Sequence, residues 1–320
     1  MSKTKSHVIK YDNNLYLSQL CGPRNEHIKK LEKLLDVEIA IKGDTLNMTG
    51  YPGDVDNCTK ILDALWVKLE NGENLELTDV EAAIRFMNDR ENGDTSQQFS
   101  DNKNLIKTKK KTIEARSPRQ AEYIQSMRDF DMIFGLGPAG TGKTYLAVAM
   151  GIEMYMNGEV ERLIFTRPVV EAGENLGFLP GDMKEKVDPY LRPIYDAMYD
   201  MIPLDKVEKK MENGDIEIAP LAFMRGRTLK NAFVILDEAQ NATPAQMKMF
   251  LTRMGNGSRM VITGDPTQTD LPKRDTSGLT EAMAYLRDIN EIKFIMFSEK
   301  DVVRHHLVAR IIEAYEHRKN

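Results

Sequence analysis

With 320 residues, 41% of them apolar and 29% charged, the chain is long enough for one large core plus a small domain, which excludes a disordered or fibrous protein. No stretch approaches the roughly 20 apolar residues of a membrane span. Met1-Ser2-Lys3-Thr4-Lys5 leads into no apolar signal core, and Cys21 and Cys58 suit neither a disulfide framework nor a metal, so a cytoplasmic location is expected. The net charge of -5 assigns any nucleic-acid contact to local basic patches rather than to the field of the whole molecule.

Composition shifts at about residues 75 and 115 divide the chain into a module over 1–75, a stretch over 76–114 and a core over 115–320. In the first module Ile28, Leu31, Leu34 and Leu35 have helical spacing, and Val37, Ile39 and Ile41 alternate with polar residues, as do Leu46 and Met48. Gly43-Asp44 between those strands is a two-residue hairpin turn, and a further helix is expected over Val55 to Leu69. Gly22-Pro23-Arg24-Asn25 precedes the first helix, with Lys29 and Lys30 just after. This small α+β arrangement resembles a KH domain, whose Gly-X-X-Gly loop clamps four nucleotides of a strand. The resemblance implies RNA contact through Arg24 and Lys29, although Asn25 stands where the pattern has Gly. The other reading of the segment is a turn that only opens the helix.

A helix opened by a Thr78-x-x-Glu81 capping box, with Val80, Ala83, Ile84 and Met87 on one face, is expected next. From Asn88 to Asn104 the chain turns polar and reads as a linker. It ends in Lys107, Lys109, Lys110 and Lys111, either a solvated run or a grip on RNA phosphates.

The core opens at Ser117-Pro118-Arg119-Gln120. Its apolar runs predict strands at about 132–136, 162–166, 216–219, 233–236, 259–263 and 292–297, and helical stretches separate most of them. Such alternation specifies a parallel sheet with helices on both faces. After the first strand, Gly137-Pro138-Ala139-Gly140-Thr141-Gly142-Lys143-Thr144 is a complete phosphate-binding loop, running into a helix from Tyr145. Its glycines permit positive φ and close approach of backbone amides to phosphate oxygens, and the helix N-terminus favours the same anion. Lys143 is expected on the β and γ phosphates, and Thr144 on Mg2+.

The polar segment 176–181, with Tyr190, Arg192, Tyr195 and Tyr199, either stacks bases of single-stranded RNA or supplies core and subunit contacts. Phe233, Val234, Ile235 and Leu236 run into Asp237-Glu238, as a buried strand carrying acids to its carboxyl end. Asp237 is the expected Mg2+ partner, and Glu238 the group that orients and deprotonates the attacking water. Thr243-Pro244-Ala245-Gln246 predicts a capped helix closed by Gly255. Gly264-Asp265-Pro266-Thr267-Gln268 puts a polar tip beside the Asp237 strand. Gln268 then reports nucleotide state, or the segment is a turn with Asp265 bonded to its own backbone.

The phosphate loop, Phe165-Thr166-Arg167-Pro168-Val169, Asp237-Glu238-Ala239-Gln240-Asn241 and Gly264 to Gln268 together resemble the PhoH-like ATPases, which are similar to the first motor domain of superfamily 1 helicases. The match covers about residues 115 to 315. It implies a RecA-like P-loop NTPase that uses ATP and Mg2+, with Lys143, Glu238 and Gln268 catalytic and Gln120 on the adenine edge. It also implies Thr166 and Arg167 along a nucleic-acid backbone, with capping or an ion pair as the other reading of Arg167. Single-stranded RNA, RNA-processing proteins and further copies of the chain are the expected partners. Because residues 298–320 alone follow Phe297, no second motor domain is expected, and a ring is anticipated in which Arg225, Arg227, Arg253 or Arg304 completes a neighbour's site. The functional expectation is an ATP hydrolase coupled to RNA. The alternative is a nucleotide-switched adaptor for RNA-processing partners.

Overall fold

The computed structural model describes residues 4–88, 102–168, 183–272, 276–303, 307, 308, 311 and 314. Two compact units divide the chain, Met1–Asn104 with Ala115–Ala121, and Leu105–Glu114 with Glu122–Asn320.

In the first unit, β1 (Lys5–Lys10), β2 (Val37–Lys42) and β3 (Thr45–Gly50) form an antiparallel sheet in the order β1-β3-β2. The β2–β3 hairpin turns at Gly43, whose φ of 60° is left-handed, as the Gly43-Asp44 pair predicted. Helices α1 (Asn14–Cys21), α2 (Glu26–Leu35), α3 (Pro52–Glu70) and α4 (Leu77–Asn88) accompany the sheet. Ile28, Leu31 and Leu35 of α2 are buried with Leu46, Met48, Val55, Ile61, Leu62 and Leu65, whereas Leu34 is exposed. The unit outruns its predicted end, because α4 packs on α2 and α3 and ties to them through Lys30–Glu81 and Lys68–Asp79. Its start also differs from expectation. The Glu76 amide donates to Asp79 Oδ2 at 2.7 Å and the Thr78 hydroxyl turns back to Glu76, so Thr78 is not the cap.

Residues 105–114 are not linker. β4 (Leu105–Lys107) and β5 (Thr112–Glu114) pair antiparallel and belong to the second unit. The rest of the predicted linker, residues 89–101, lies outside the described residues.

The second unit is built on β6 (Met132–Leu136), β7 (Arg162–Arg167), β8 (Ile216–Pro220), β9 (Ala232–Leu236), β10 (Arg259–Gly264) and β11 (Ile292–Met296). All six predicted strands are present and parallel, in the order β11-β6-β10-β9-β7-β8. Parallel neighbours need long crossovers. These contain α6 (Lys143–Met156), α7 (Met183–Met201), α8 (Leu204–Glu212), α9 (Pro244–Leu251) and α10 (Gly278–Leu286), with α5 (Pro118–Asp129) preceding the first strand. This is the RecA-like P-loop architecture. Every residue of β6 and β9 is buried, which is why both read as unbroken apolar runs.

The predicted capping box of α9 is formed, with the Thr243 side chain accepting from the Gln246 amide. Gly255 does not close that helix, which ends at Leu251 with Thr252 as its cap. Gly255 is instead a point of close approach. Its amide donates to Leu229 O at 2.7 Å, and a Cβ there would lie 2.5 Å from that oxygen.

Gly135, in the middle of β6, faces the fully buried Tyr123 of α5, and a Cβ at this position would stand 2.8 Å from the phenol ring. The ring also meets Phe297 edge-on at 5.4 Å, so it cannot retreat without disturbing a second contact. Gly135→Ala is therefore expected to destabilise the protein by about 1–3 kcal/mol. Urea denaturation measures this, and a loss below about 0.5 kcal/mol would contradict the packing described.

Candidate functional site

The carboxyl ends of β6, β9 and β10 lie side by side, the place where parallel α/β sheets hold ligands. After β6, Gly137, Gly140 and Gly142 have φ of 139°, 84° and 80°, conformations that a residue with Cβ adopts only with strain. Gly137 is constrained twice over, since a Cβ would meet Phe297 O at 2.4 Å. Its amide donates to Gly264 O at 3.0 Å, fastening the loop to β10. Within the loop Thr141 is buried, and its hydroxyl donates to Pro138 O at 3.0 Å.

Lys143 is buried, and its ammonium donates to Gly137 O and Pro138 O, both at 2.7 Å, and to Thr141 Oγ1 at 3.3 Å. A buried ammonium must have partners. The loop carbonyls serve here, at the position where phosphate oxygens would meet the same charge.

Thr144 Oγ1 donates to Asp237 Oδ1 at 2.6 Å, and Thr263 Oγ1, from β10, donates to the same oxygen at 2.7 Å. The Asp237 amide reaches across to Thr166 O of β7 at 2.9 Å. Loop, acid and both neighbouring strands are thereby linked. Thr144 and Asp237 are hard oxygen donors that suit Mg2+, an ion that usually takes one or two protein oxygens and completes its shell with phosphate and water. Among the described residues no group of three or more His, Cys, Asp or Glu side chains could hold a metal unaided.

Glu238 has left-handed backbone, φ 52° and ψ 41°. Its carboxylate lies 3.7 Å from Arg167 and accepts from Gln240 Nε2. Gln240 Oε1 in turn accepts the Asp265 amide at 3.1 Å, and a Cβ on Gly264 would be 2.7 Å from that oxygen. The Gly264–Gln268 segment forms the turn of its structural reading. Asp265 Oδ1 accepts from the amide and hydroxyl of Thr267, making the expected turn, and Gln268 lines the cavity. Asp265 Oδ2 is buried without a hydrogen-bond partner.

A cavity of about 630 Å³ joins these groups, within the usual size of a small-molecule site. Ala139, Gly140, Gly142, Lys143, Thr144, Asp237, Glu238 and Gln268 line it as the sequence led one to expect, and Arg167, expected along a nucleic-acid backbone, lines it as well. Gln240, Tyr145, Asp265 and, from α7, Pro193, Asp196, Ala197 and Asp200 line it too. Thr263, behind Asp237, also went unnoticed. Of these, Gln240 and Asp265 carried a signal, their places in the Asp-Glu-Ala-Gln run and in the Gly264–Gln268 segment.

Other predicted positions lie elsewhere. Thr166 is fully buried, with its hydroxyl unpartnered, so its side chain is not offered to a nucleic-acid backbone. Arg167 has the ion pair of its alternative reading. Gln120 belongs to the first unit, where its side-chain oxygen accepts the Arg116 amide at 2.7 Å. There too Arg24 and Lys29 are exposed, and Gly22, Arg24 and Asn25 all have positive φ, at 73°, 52° and 58°. Lys110 and Lys111 are not a free basic run, since they reach Tyr199 O and the Asp200 carboxylate respectively. Tyr195 and Tyr199 stack on each other at 6.1 Å, half-buried, while 176–181 lies outside the described residues.

The family model for PhoH-like protein matches residues 112–316. A PhoH-like protein of Bacillus subtilis (strain 168) is 49% identical over 299 residues, 93% of each chain. A PhoH-like protein of Mycobacterium tuberculosis (strain H37Rv) is 43% identical over 296 residues, 92% of this chain and 84% of that one. Protein PhoH of Escherichia coli (strain K12) is 44% identical over 205 residues, 63% of this chain and 58% of that one. Among solved structures, the Pif1 helicase from Candida albicans aligns over 62% of this chain and 42% of its own, with 14% identity and a TM-score of 0.32, too distant to inform function.

Thr263→Val keeps the shape of the side chain and leaves the buried Asp237 carboxylate one donor short. The expected cost is about 1–3 kcal/mol of stability, read by chemical denaturation against the parent. An unchanged midpoint would mean that the Thr263 contact contributes nothing.

Proposed function

The chain belongs to the PhoH-like protein family, and on that footing we propose that it is a magnesium-dependent ATP hydrolase whose nucleotide state is coupled to RNA binding. The observation that carries the reading is the Thr144–Asp237 contact. It joins groups 93 positions apart at 2.6 Å, beside a loop whose three glycines all have positive φ.

In this reading Lys143 exchanges the loop carbonyls for the β and γ phosphates, and the amides of Gly140 and Gly142 and the N-terminus of α6 share the anion. Magnesium, held by Thr144 and Asp237, would neutralise charge between those phosphates. Glu238 orients a water in line with the γ-phosphorus and takes its proton. The water oxygen bonds to phosphorus as the bond to the bridging oxygen of ADP breaks, the bond pair leaving on ADP. Gln268, on the tip of the β10 segment, contacts the γ-phosphate and transmits its loss.

RNA contact is assigned to Arg24 and Lys29. Both are exposed, Arg24 in the left-handed stretch before α2 and Lys29 within α2, and their positive charge suits a strand's phosphates. The second reading, a nucleotide-switched adaptor for RNA-processing partners, is favoured by the engagement of Glu238 with Arg167 and Gln240, which keeps the base occupied. Glu238→Gln separates the two. ATP hydrolysis, measured with and without single-stranded RNA, should fall by about a hundredfold or more while ATP binding persists. If the variant hydrolysed ATP as the parent does, the catalytic assignment would fail. If the parent showed no RNA-stimulated turnover, the adaptor would be preferred.

We place an arginine from a neighbouring copy against the transition-state charge in a ring-like assembly. Arg227 is committed to a two-pronged pair with Glu217, at 2.6 and 2.7 Å, and Arg253 to Arg227 O and Met249 O. Arg225 is exposed beside the exposed Phe223 and is the candidate that remains among the described residues. Turnover per subunit should therefore drop on dilution, and Arg225→Ala should lower it at every concentration. Dilution-independent turnover would rule the assembly out.

A further inference from the structure

The cavity lining is of two kinds. One comprises Lys143, Thr144, Asp237 and the loop glycines. The other is α7, which presents Pro193, Asp196, Ala197 and Asp200, positions i, i+3, i+4 and i+7 on one helical face, together with Tyr145. Two carboxylates on a wall of a triphosphate site need an explanation, since phosphates are acceptors and anions.

Asp200 is held in place. The Tyr145 hydroxyl donates to its Oδ2 at 2.8 Å, and the Lys111 ammonium, on the turn between β4 and β5, pairs with the same oxygen. Lys111 also lies 5.5 Å from the centre of the Tyr145 ring. The Lys111 hydrogen bond keeps the carboxyl below its usual range, so it is ionised at neutral pH. Both donors meet Oδ2, which leaves Oδ1 to accept from something else. Tyr145 directly follows Thr144, so Asp200 stands one tyrosine side chain from the residue that ends the phosphate loop.

We propose that Asp200, positioned by Lys111 and Tyr145, accepts hydrogen bonds from the ribose hydroxyls of the bound nucleotide and sets its preference for ribonucleotides. The inference rests on the nucleotide site proposed above. A carboxylate only accepts, and in a magnesium nucleotide the donors beyond the phosphates are the sugar hydroxyls and the base amine. The Lys111 ammonium offsets the negative charge that Asp200 would otherwise present to the triphosphate. Asp196, one turn earlier on the same face, offers a second acceptor for the neighbouring hydroxyl.

Calorimetry on the full chain with magnesium, titrating ATP, 2′-deoxy-ATP, 3′-deoxy-ATP and inorganic tripolyphosphate, tests this. The parent should bind ATP about tenfold or more tighter than at least one deoxy analogue, the worth of a hydrogen bond to a charged acceptor. Asp200→Ala should bring ATP and that analogue to within about twofold while leaving tripolyphosphate unchanged. Lys111→Met, which frees the carboxylate without removing it, should weaken the discrimination in part. Equal binding of all three nucleosides by the parent would overturn the inference, as would full discrimination in Asp200→Ala or parallel loss of tripolyphosphate. Lys143→Ala keeps the two proposals distinguishable. If the parent binds ATP and tripolyphosphate and Lys143→Ala binds neither, the nucleotide site stands even where sugar discrimination is absent. If the parent binds neither, the site itself fails.

Discussion

One carboxylate oxygen, Asp237 Oδ1, organises the second unit. It receives Thr144 from the start of α6 and Thr263 from β10, so the phosphate loop, the acid-bearing strand and the strand between them meet at a single atom. The arrangement requires β10 to lie between β6 and β9, which the sheet order provides. A buried carboxylate is costly unless charge or hydrogen bonds compensate it. Two hydroxyls make Asp237 tolerable in the free protein, and the Thr144 hydroxyl among them is the one a magnesium ion would share.

Lys143 is compensated in the same way. Its ammonium is drawn into the loop by two carbonyls, and the glycines' positive φ values keep those carbonyls and the neighbouring amides in register around it. A bound polyphosphate would offer the same ammonium charged oxygens in place of these neutral carbonyls. Gly137, wedged against Phe297 O, ties loop geometry to the end of β11, so the outer strand bears on the site although none of its side chains reaches the cavity.

Much of this was legible because the information is local. Buried parallel strands are continuous apolar runs, and the phosphate loop, the Asp237-Glu238 pair and the Thr243 cap each declare themselves within eight residues. Interactions that depend on sheet order were not legible. Thr263 is an ordinary strand residue until β10 is placed beside β9, and Lys110 and Lys111 looked like solvated charge because their partners on α7 lie 89 positions downstream. Thr166 was placed along a nucleic-acid backbone because of the motif around it, although it is fully buried near the end of β7, between β8 and β9. In the first unit β1 and α1 escaped notice for another reason. β1 is only half-buried along its length, and α1 is eight residues long and marked mainly by its Asn13 cap.

Gln240 connects the two polar tips at the cavity. Its amide nitrogen donates to Glu238, and its oxygen accepts the Asp265 amide at the end of β10. Glu238 is a non-glycine residue in left-handed backbone, a conformation that costs on the order of 1 kcal/mol and persists only where surroundings impose it. The bonds to Arg167 and Gln240 supply that restraint. A shift of the Gly264–Gln268 segment would be felt by Gln240, and a shift of Gln240 would release or realign Glu238. The β10 tip and the Glu238 carboxylate are therefore linked through a single side-chain amide, against which even a methyl group at Gly264 would collide.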